Sequence, residues 1–258
     1  MRMTEICLTG IAAFQVYDDF TGRPAASGTV RLALPQGLQA VSKGEGVYVI
    51  LAPRAAGAAK AQEQGIQVRF LSPVYEEFSI DLLPEDYEND CPFIRVGLVP
   101  SSAMPLPAGT TTLEGTALPG SRISVICDVK DGAMKLLGDC RKGEQEAGIY
   151  RPSDIMLEGR LVAFQARGEE FELNRVRQEK GDSRCSLEQP LLREYRRAGT
   201  RIFPVHEGIS GPDGHYRIPL RDVPVSGCSA AVILQEPGKE EVRWQMKLAC
   251  GVKNRRDA

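Results

Sequence analysis

Between Val16 and Leu51 the chain alternates short apolar runs with residues that force turns, a pattern that suits β-structure and little else. The run that begins near residue 4 ends at Asp18-Asp19, whose carboxylates can accept hydrogen bonds from nearby backbone. It is followed by Thr21-Gly22-Arg23-Pro24, where Gly22 can take positive φ and Pro24 stops regular pairing. Val30, Leu32 and Leu34 then share one face of a second strand, Thr29 to Leu34. A loop follows, and Gly44-Glu45-Gly46 launches a third strand over Val47 to Leu51. A compressed form of the same hairpin returns as Gly211-Pro212-Asp213-Gly214-His215-Tyr216-Arg217-Ile218-Pro219-Leu220. Two echoes of one hairpin predict two β-sandwich domains in series.

The remaining chain fits that expectation. Residues 52–64 are alanine-rich and read as a short helical or mobile loop. Ile66 to Leu71 alternates, Tyr75 to Leu83 resumes, Pro84 to Asn89 is an acidic turn, and Phe93 to Val99 closes the first domain. About seven short strands with turn signals between them is the count of an immunoglobulin-like sandwich. Three prolines in Pro100 to Pro107 forbid ladder hydrogen bonds and stiffen the chain. The expected division is therefore a sandwich over 1–100, a Pro-rich linker over 101–108, and a second sandwich over 109–258.

In the second domain, strands are predicted over Thr110 to Ala117, Ile123 to Val129, Leu157 to Phe164 and Glu170 to Val176. Further strands are predicted over Thr200 to Val205, His215 to Leu220, Ala230 to Leu234 and Glu241 to Ala249. Residues 130–156 are ambiguous, with a hairpin signal at Asp131-Gly132, and residues 177–188 read as loop. Gln189 to Arg197 is the one predicted helix. Pro190 fits a first turn, Leu191, Leu192 and Tyr195 can share a face, and Gly199 can end it. The last six residues read as a frayed tail.

Composition excludes several partner classes. With 32 basic against 34 acidic residues, no basic footprint for nucleic acid and no polybasic membrane patch is expected. No run reaches the roughly 18 apolar residues of a membrane helix. Near the start, Glu5 interrupts the apolar core a signal peptide needs, so that segment reads as the first strand. Seven cysteines without a CxxC pair fit reduced, partly buried thiols in a cytoplasmic protein.

The residues also carry a resemblance. Val16, Asp18, Thr21, Gly22, Pro24, Val30, Leu32, Gly46, Tyr48, Ile66, Val68 and Tyr75 match the order of the carboxypeptidase regulatory-like, or prealbumin-like, family. In the second domain Leu113, Gly115, Pro119, Gly120 and Ile123 resemble that family's opening strand pair, and Asp213, Gly214 and Tyr216 its Asp-Gly-x-Tyr hairpin. The resemblance covers over half of the chain, implies β-sandwiches, and is nearly silent on activity. The layout of "DDFTGRP", a mid-chain proline run and a late "DGHY" is also similar to two-domain proteins encoded beside bacterial contractile injection systems and phage tail-like particles. It departs from them at Met104-Pro105-Leu106, where an aromatic is usual. That likeness implies a structural or accessory particle component, by association alone.

Reactive constellations are sparse. His206 and His215 flank a Ser-Gly-Pro-Asp-Gly turn and lack the H-x-H spacing of intradiol dioxygenases, although Tyr150, Tyr195 and Tyr216 could supply phenolates if the fold converged them. The Tyr-Arg-Gly-Ser tail of transthyretin-type hydrolases is replaced by Asn254-Arg255-Arg256-Asp257-Ala258. A Cys–His pair is conceivable, but nothing in the spacing joins one. No G-x-S-x-G elbow and no phosphate-binding glycine loop occurs. Asp81, Glu85, Asp86, Glu88 and Asp90 form an acidic stretch that fits a solvated loop or, less readily, calcium. Arg193, Arg196 and Arg197 read as the wet face of the helix.

The expected function is therefore non-catalytic: a structural or protein-interaction module whose partners are other protein chains, with no catalytic, cofactor or metal site and no cofactor. Two alternatives stand beside it. One is a carbohydrate-binding or adhesion module, which would want exposed aromatics, whereas the one tryptophan, Trp244, falls in a strand-like stretch. The other is a metal-dependent enzyme on a dioxygenase-like sandwich.

Overall fold

A computed structural model describes residues 8–53, 65–84, 91–129, 134–151, 157–180 and 183–256. Its named elements are nineteen β-strands, and the fold is all-β. The chain divides into two compact units, Met1–Val99 and Pro100–Ala258.

The first unit is built from two sheets. One has the order β3 (Gln39–Gly44), β4 (Val47–Pro53), β1 (Leu8–Asp18), β7 (Phe93–Leu98), and the other the order β2 (Arg31–Ala33), β5 (Ile66–Leu71), β6 (Phe78–Leu82). Alternation decides which side chains meet. Ala12, Phe14, Val16, Tyr48 and Ile50 from the first sheet are buried, as are Ile66, Val68 and Phe70 from the second. Phe14 meets Phe70 edge to face with ring centroids 5.4 Å apart, so the sheets pack face to face. The segment read as a loop before Gly44 contains strand β3, hairpinned to β4 through Gly44-Glu45-Gly46. Gly46 has φ 73°, and a Cβ there would collide with the Val16 carbonyl, so this turn admits only glycine.

The second unit departs from a plain sandwich. Strands β10 (Met134–Leu136), β11 (Glu146–Tyr150), β14 (Arg184–Leu187), β13 (Glu172–Lys180), β12 (Leu161–Gln165) and β15 (Arg201–Ile209) pair in that order. β10 then pairs with β15, which closes a six-stranded antiparallel barrel. Its interior holds Met134, Leu136, Ile149, Val162, Phe164, Val176, Leu187 and Ile202, all buried.

Strand β15 leaves the barrel at its far end. Val205 to Ile209 pair with β9 (Arg122–Cys127), which continues to β17 (Cys228–Gln235) and β18 (Val242–Leu248). Facing these is a three-stranded sheet of β16 (His215–Pro219), β8 (Thr112–Thr116) and β19 (Lys253–Arg255). Leu113, Tyr216 and Ile218 from the small sheet share a core with Ile123, Val125, Ala230 and Val232. A third cluster, with Ile126, Ala163, Phe203, Val205, Ala231 and Ile233, joins strands of the barrel to the sheet's outer face.

Three expectations are corrected here. The stretch 177–188, read as loop, contains strand: β13 runs to Lys180, and β14 (Arg184–Leu187) supplies the next barrel stave. Lys253–Arg255 of the expected frayed tail is not frayed, because it forms β19 and pairs in parallel with β8. Asn254, buried there, accepts from the Ala249 amide and donates to the Ala249 and Thr112 carbonyls.

The helix predicted over Gln189 to Arg197 does not form. Tyr195 and Cys140 exchange two backbone hydrogen bonds of 2.8 Å, the Leu191 amide donates to the Glu144 carbonyl, and the Leu191 carbonyl accepts from Gly143. The buried Glu172 carboxylate accepts from the Leu192 amide at 2.8 Å and the Tyr195 hydroxyl at 2.9 Å. A short isolated helix is marginal in water, so these tertiary bonds win. Leu191 and Tyr195 enter the barrel core, while Leu192 is 70% exposed. The Asp131-Gly132 hairpin and most of residues 52–64 lie outside the described residues.

Glu172→Ala would strand a part-buried amide and a buried phenol, and should lower stability by about 1–3 kcal/mol in urea unfolding. Leu192 and Tyr195 amides should then exchange faster with solvent, and unchanged exchange would show that the carboxylate does not hold this segment.

Candidate functional site

The histidines are not brought together as a metal pair. His206 lies on β15 opposite Val125, whereas His215 starts β16 opposite Thr116 in the other sheet of the sandwich. His206 is buried, and burial first, with the Arg221 and Arg160 guanidinium charges adding, holds its pKa down at about 3. It is a neutral imidazole at ordinary pH. His215 is exposed.

The tyrosines are equally dispersed. Tyr150 is 53% exposed on β11, Tyr195 is in the barrel core, and Tyr216 is in the sandwich core. Burial, then the hydrogen bond to Glu172 and its charge, push the Tyr195 phenol up, opposite to what a phenolate ligand needs. Among the described residues no group of three or more His, Cys, Asp or Glu side chains could hold a metal ion.

Cys127, Cys140, Cys185 and Cys228 are held protonated. Cys127 and Cys228 lie on one face of neighbouring strands and hydrogen-bond each other, and burial drives both upward. Burial likewise raises Cys185 to about 11 in the barrel. A nucleophilic cysteine needs the reverse shift. Of the acidic stretch, Asp81 accepts from the Gln67 side chain on the neighbouring strand, and the other four residues lie outside the described ones.

In the first unit Asp18 is buried and takes a structural role. It accepts from the Thr21 amide at 2.8 Å and the Tyr75 hydroxyl at 3.1 Å, which ties the turn after β1 to the segment before β6. Burial raises the neighbouring Glu76 to about 7.

Among the described residues of the second unit, two clefts carry several charged side chains. One, about 540 Å³, lies on the outer face of the small sheet and is lined by Glu114, Asp213, His215, Arg217, Lys253 and Arg255 among others. Glu114 pairs there with Lys253 at 3.4 Å and Arg255 at 3.9 Å, which offsets much of its positive charge. The other, about 460 Å³, lies on the barrel exterior beside the β10–β15 seam and is lined by Lys135, Gln165, Ala166, Arg167, Gly168, Arg197, Gly199, Thr200 and Arg201. Of the cations among these, sequence reasoning weighed only Arg197 as a charge, and read it as the wet face of a helix. Lys135 and Arg201 are distant in sequence and become neighbours only when the seam closes.

Trp244 is half-buried on β18 with the Arg256 guanidinium 4.1 Å from its ring centroid, so it offers no open aromatic platform. No helix among the described residues is long and apolar enough to cross a membrane.

No family model matches this chain, and no curated protein matches it. A solved structure described as "The Enterococcus faecalis MSCRAMM ACE binds its ligands by the collagen Hug Model" aligns over 96% of this chain and 81% of that one, at 8% identity and a TM-score of 0.13. A likeness that slight carries no argument about this chain.

A histidine whose folded pKa lies below its unfolded value leaves the unfolded chain binding the extra proton. Its cost is absent above pH 6.5 and grows as pH falls toward 3. The stability of wild type relative to His206→Gln should therefore drop by up to about 1.4 kcal/mol per pH unit below about pH 6.5 and stay level above it. A difference independent of pH in urea unfolding would mean that His206 titrates normally.

Proposed function

We propose that this chain is a non-catalytic structural and protein-interaction module, an accessory component of a phage tail-like or contractile injection particle. The prealbumin-like order of the first unit and the layout of the whole chain support the assignment to such a particle. The observation that carries the interaction reading is strand β7. It ends its sheet, pairs among the described residues only with β1, and carries Phe93 at 57% exposure. An open strand edge can accept a strand from another chain, and an exposed aromatic at its head is the residue type enriched in protein interfaces.

The states of the polar groups agree with this reading. A neutral buried histidine, thiols driven upward and a phenol bound to a carboxylate are configured for packing and hydrogen bonding. The partner is another protein chain of the particle, supplying an extended segment to the β7 edge.

Isothermal titration of the purified chain with individually purified particle components should find one that binds. Phe93→Asp should weaken that complex at least tenfold, about 1.4 kcal/mol, with the melting temperature unchanged because the residue is exposed. Binding to none of the components, or equal binding by the variant, would overturn the assignment.

A further inference from the structure

We propose that the cleft beside the barrel seam is a binding site for a small tetrahedral oxyanion, a phosphate or sulfate ester. This is independent of the docking edge on β7, which belongs to the other unit. Four cations line the cleft, Lys135, Arg167, Arg197 and Arg201, and no carboxylate does. Lys135 and Arg201 sit directly opposite each other on adjacent strands, a placement in which like charges destabilise a sheet.

The neighbouring carboxylates already have partners. Asp128 pairs with Arg201 at 3.1 Å, Glu169 pairs with Arg193 at 3.2 Å, and Asp139 accepts from the Arg197 amide at 2.6 Å. Among the described residues, Lys135, Arg167 and Arg197 have no ion-pair partner. Asp128 answers Arg201, so it is the charges of Lys135, Arg167 and Arg197 that are left for a bound anion to neutralise.

Geometry selects the class of anion. The cations come from three directions: Lys135 from β10, Arg167 from the turn between β12 and β13, and Arg197 with Arg201 from the chain entering β15. A planar carboxylate is satisfied by one forked guanidinium, whereas a tetrahedral oxyanion offers oxygens to donors on several sides. Arg201 is already oriented by hydrogen bonds to Asp128 and Gln165, with its guanidinium 5.0 Å from the Phe203 ring centroid. The volume suits a small ester and not a polymer.

The test uses the full chain in chloride buffer, with inorganic phosphate as first probe and acetate as control. Phosphate should shift the amide resonances of Lys135, Arg167, Gly168 and Thr200 and raise the melting temperature, and acetate should do neither. Tighter binding of a sugar phosphate or of a sulfated sugar would identify which ester the site prefers. Lys135→Gln should bind phosphate at least tenfold more weakly yet melt no lower in chloride, because it removes the clash with Arg201. Arg167→Gln, on an exposed turn, should weaken binding without touching the seam. Absence of phosphate-induced shifts at about 10 mM, well above the millimolar Kd of a weak site, would overturn the assignment, as would full-affinity binding by both variants.

Discussion

The second unit depends on one strand being shared by two architectures. The first half of β15 closes the barrel through β10 and β12, and its second half pairs with β9 to start the sandwich sheet. Nine residues suffice because alternation sends Ile202 into the barrel and Phe203 and Val205 to the opposite face, where they meet Ile126, Ala231 and Ile233. A slip of one residue in β15 would misplace both cores together. Closure also removes sheet edges that an open set of six strands would expose.

The barrel explains where the polar groups of this unit are spent. Glu172 is buried because it completes the hydrogen bonds of a segment that lines the barrel interior without regular structure of its own. His206 is neutral because its place on the shared strand is buried near guanidinium groups. The cationic cleft exists because closing the seam sets Lys135 against Arg201. Each follows from how the strands of this unit pair, and together they leave Glu172 and His206 committed to structure while Lys135, Arg167 and Arg197 stay exposed.

Much of the fold was legible in the chain itself. Period-two runs located most of the strands, and the Gly44-Glu45-Gly46 turn is required at Gly46 by a backbone carbonyl that leaves no room for a Cβ. Asp18 was legible as a turn residue, but its bond to Tyr75 was not, since that partner arrives from a distant segment. β14 was missed because its four residues, Arg184–Leu187, sit in a polar stretch and are specified by neighbours on both sides. The helix expected at Gln189 failed for the complementary reason: its local pattern was sound, but its amides found better partners across the barrel.

Sequence alone therefore determined what depends on near neighbours: strand alternation, turn chemistry, the balance of charge and the proline-rich stretch that follows the first unit. Tertiary structure decided what depends on closure. That the staves form a ring, that four cations share a cleft, and that two histidines lie in opposite sheets all follow from pairings between residues far apart in the chain. Such pairings leave no periodic trace in sequence, because a strand's alternation states which face is buried but not which strand will lie beside it.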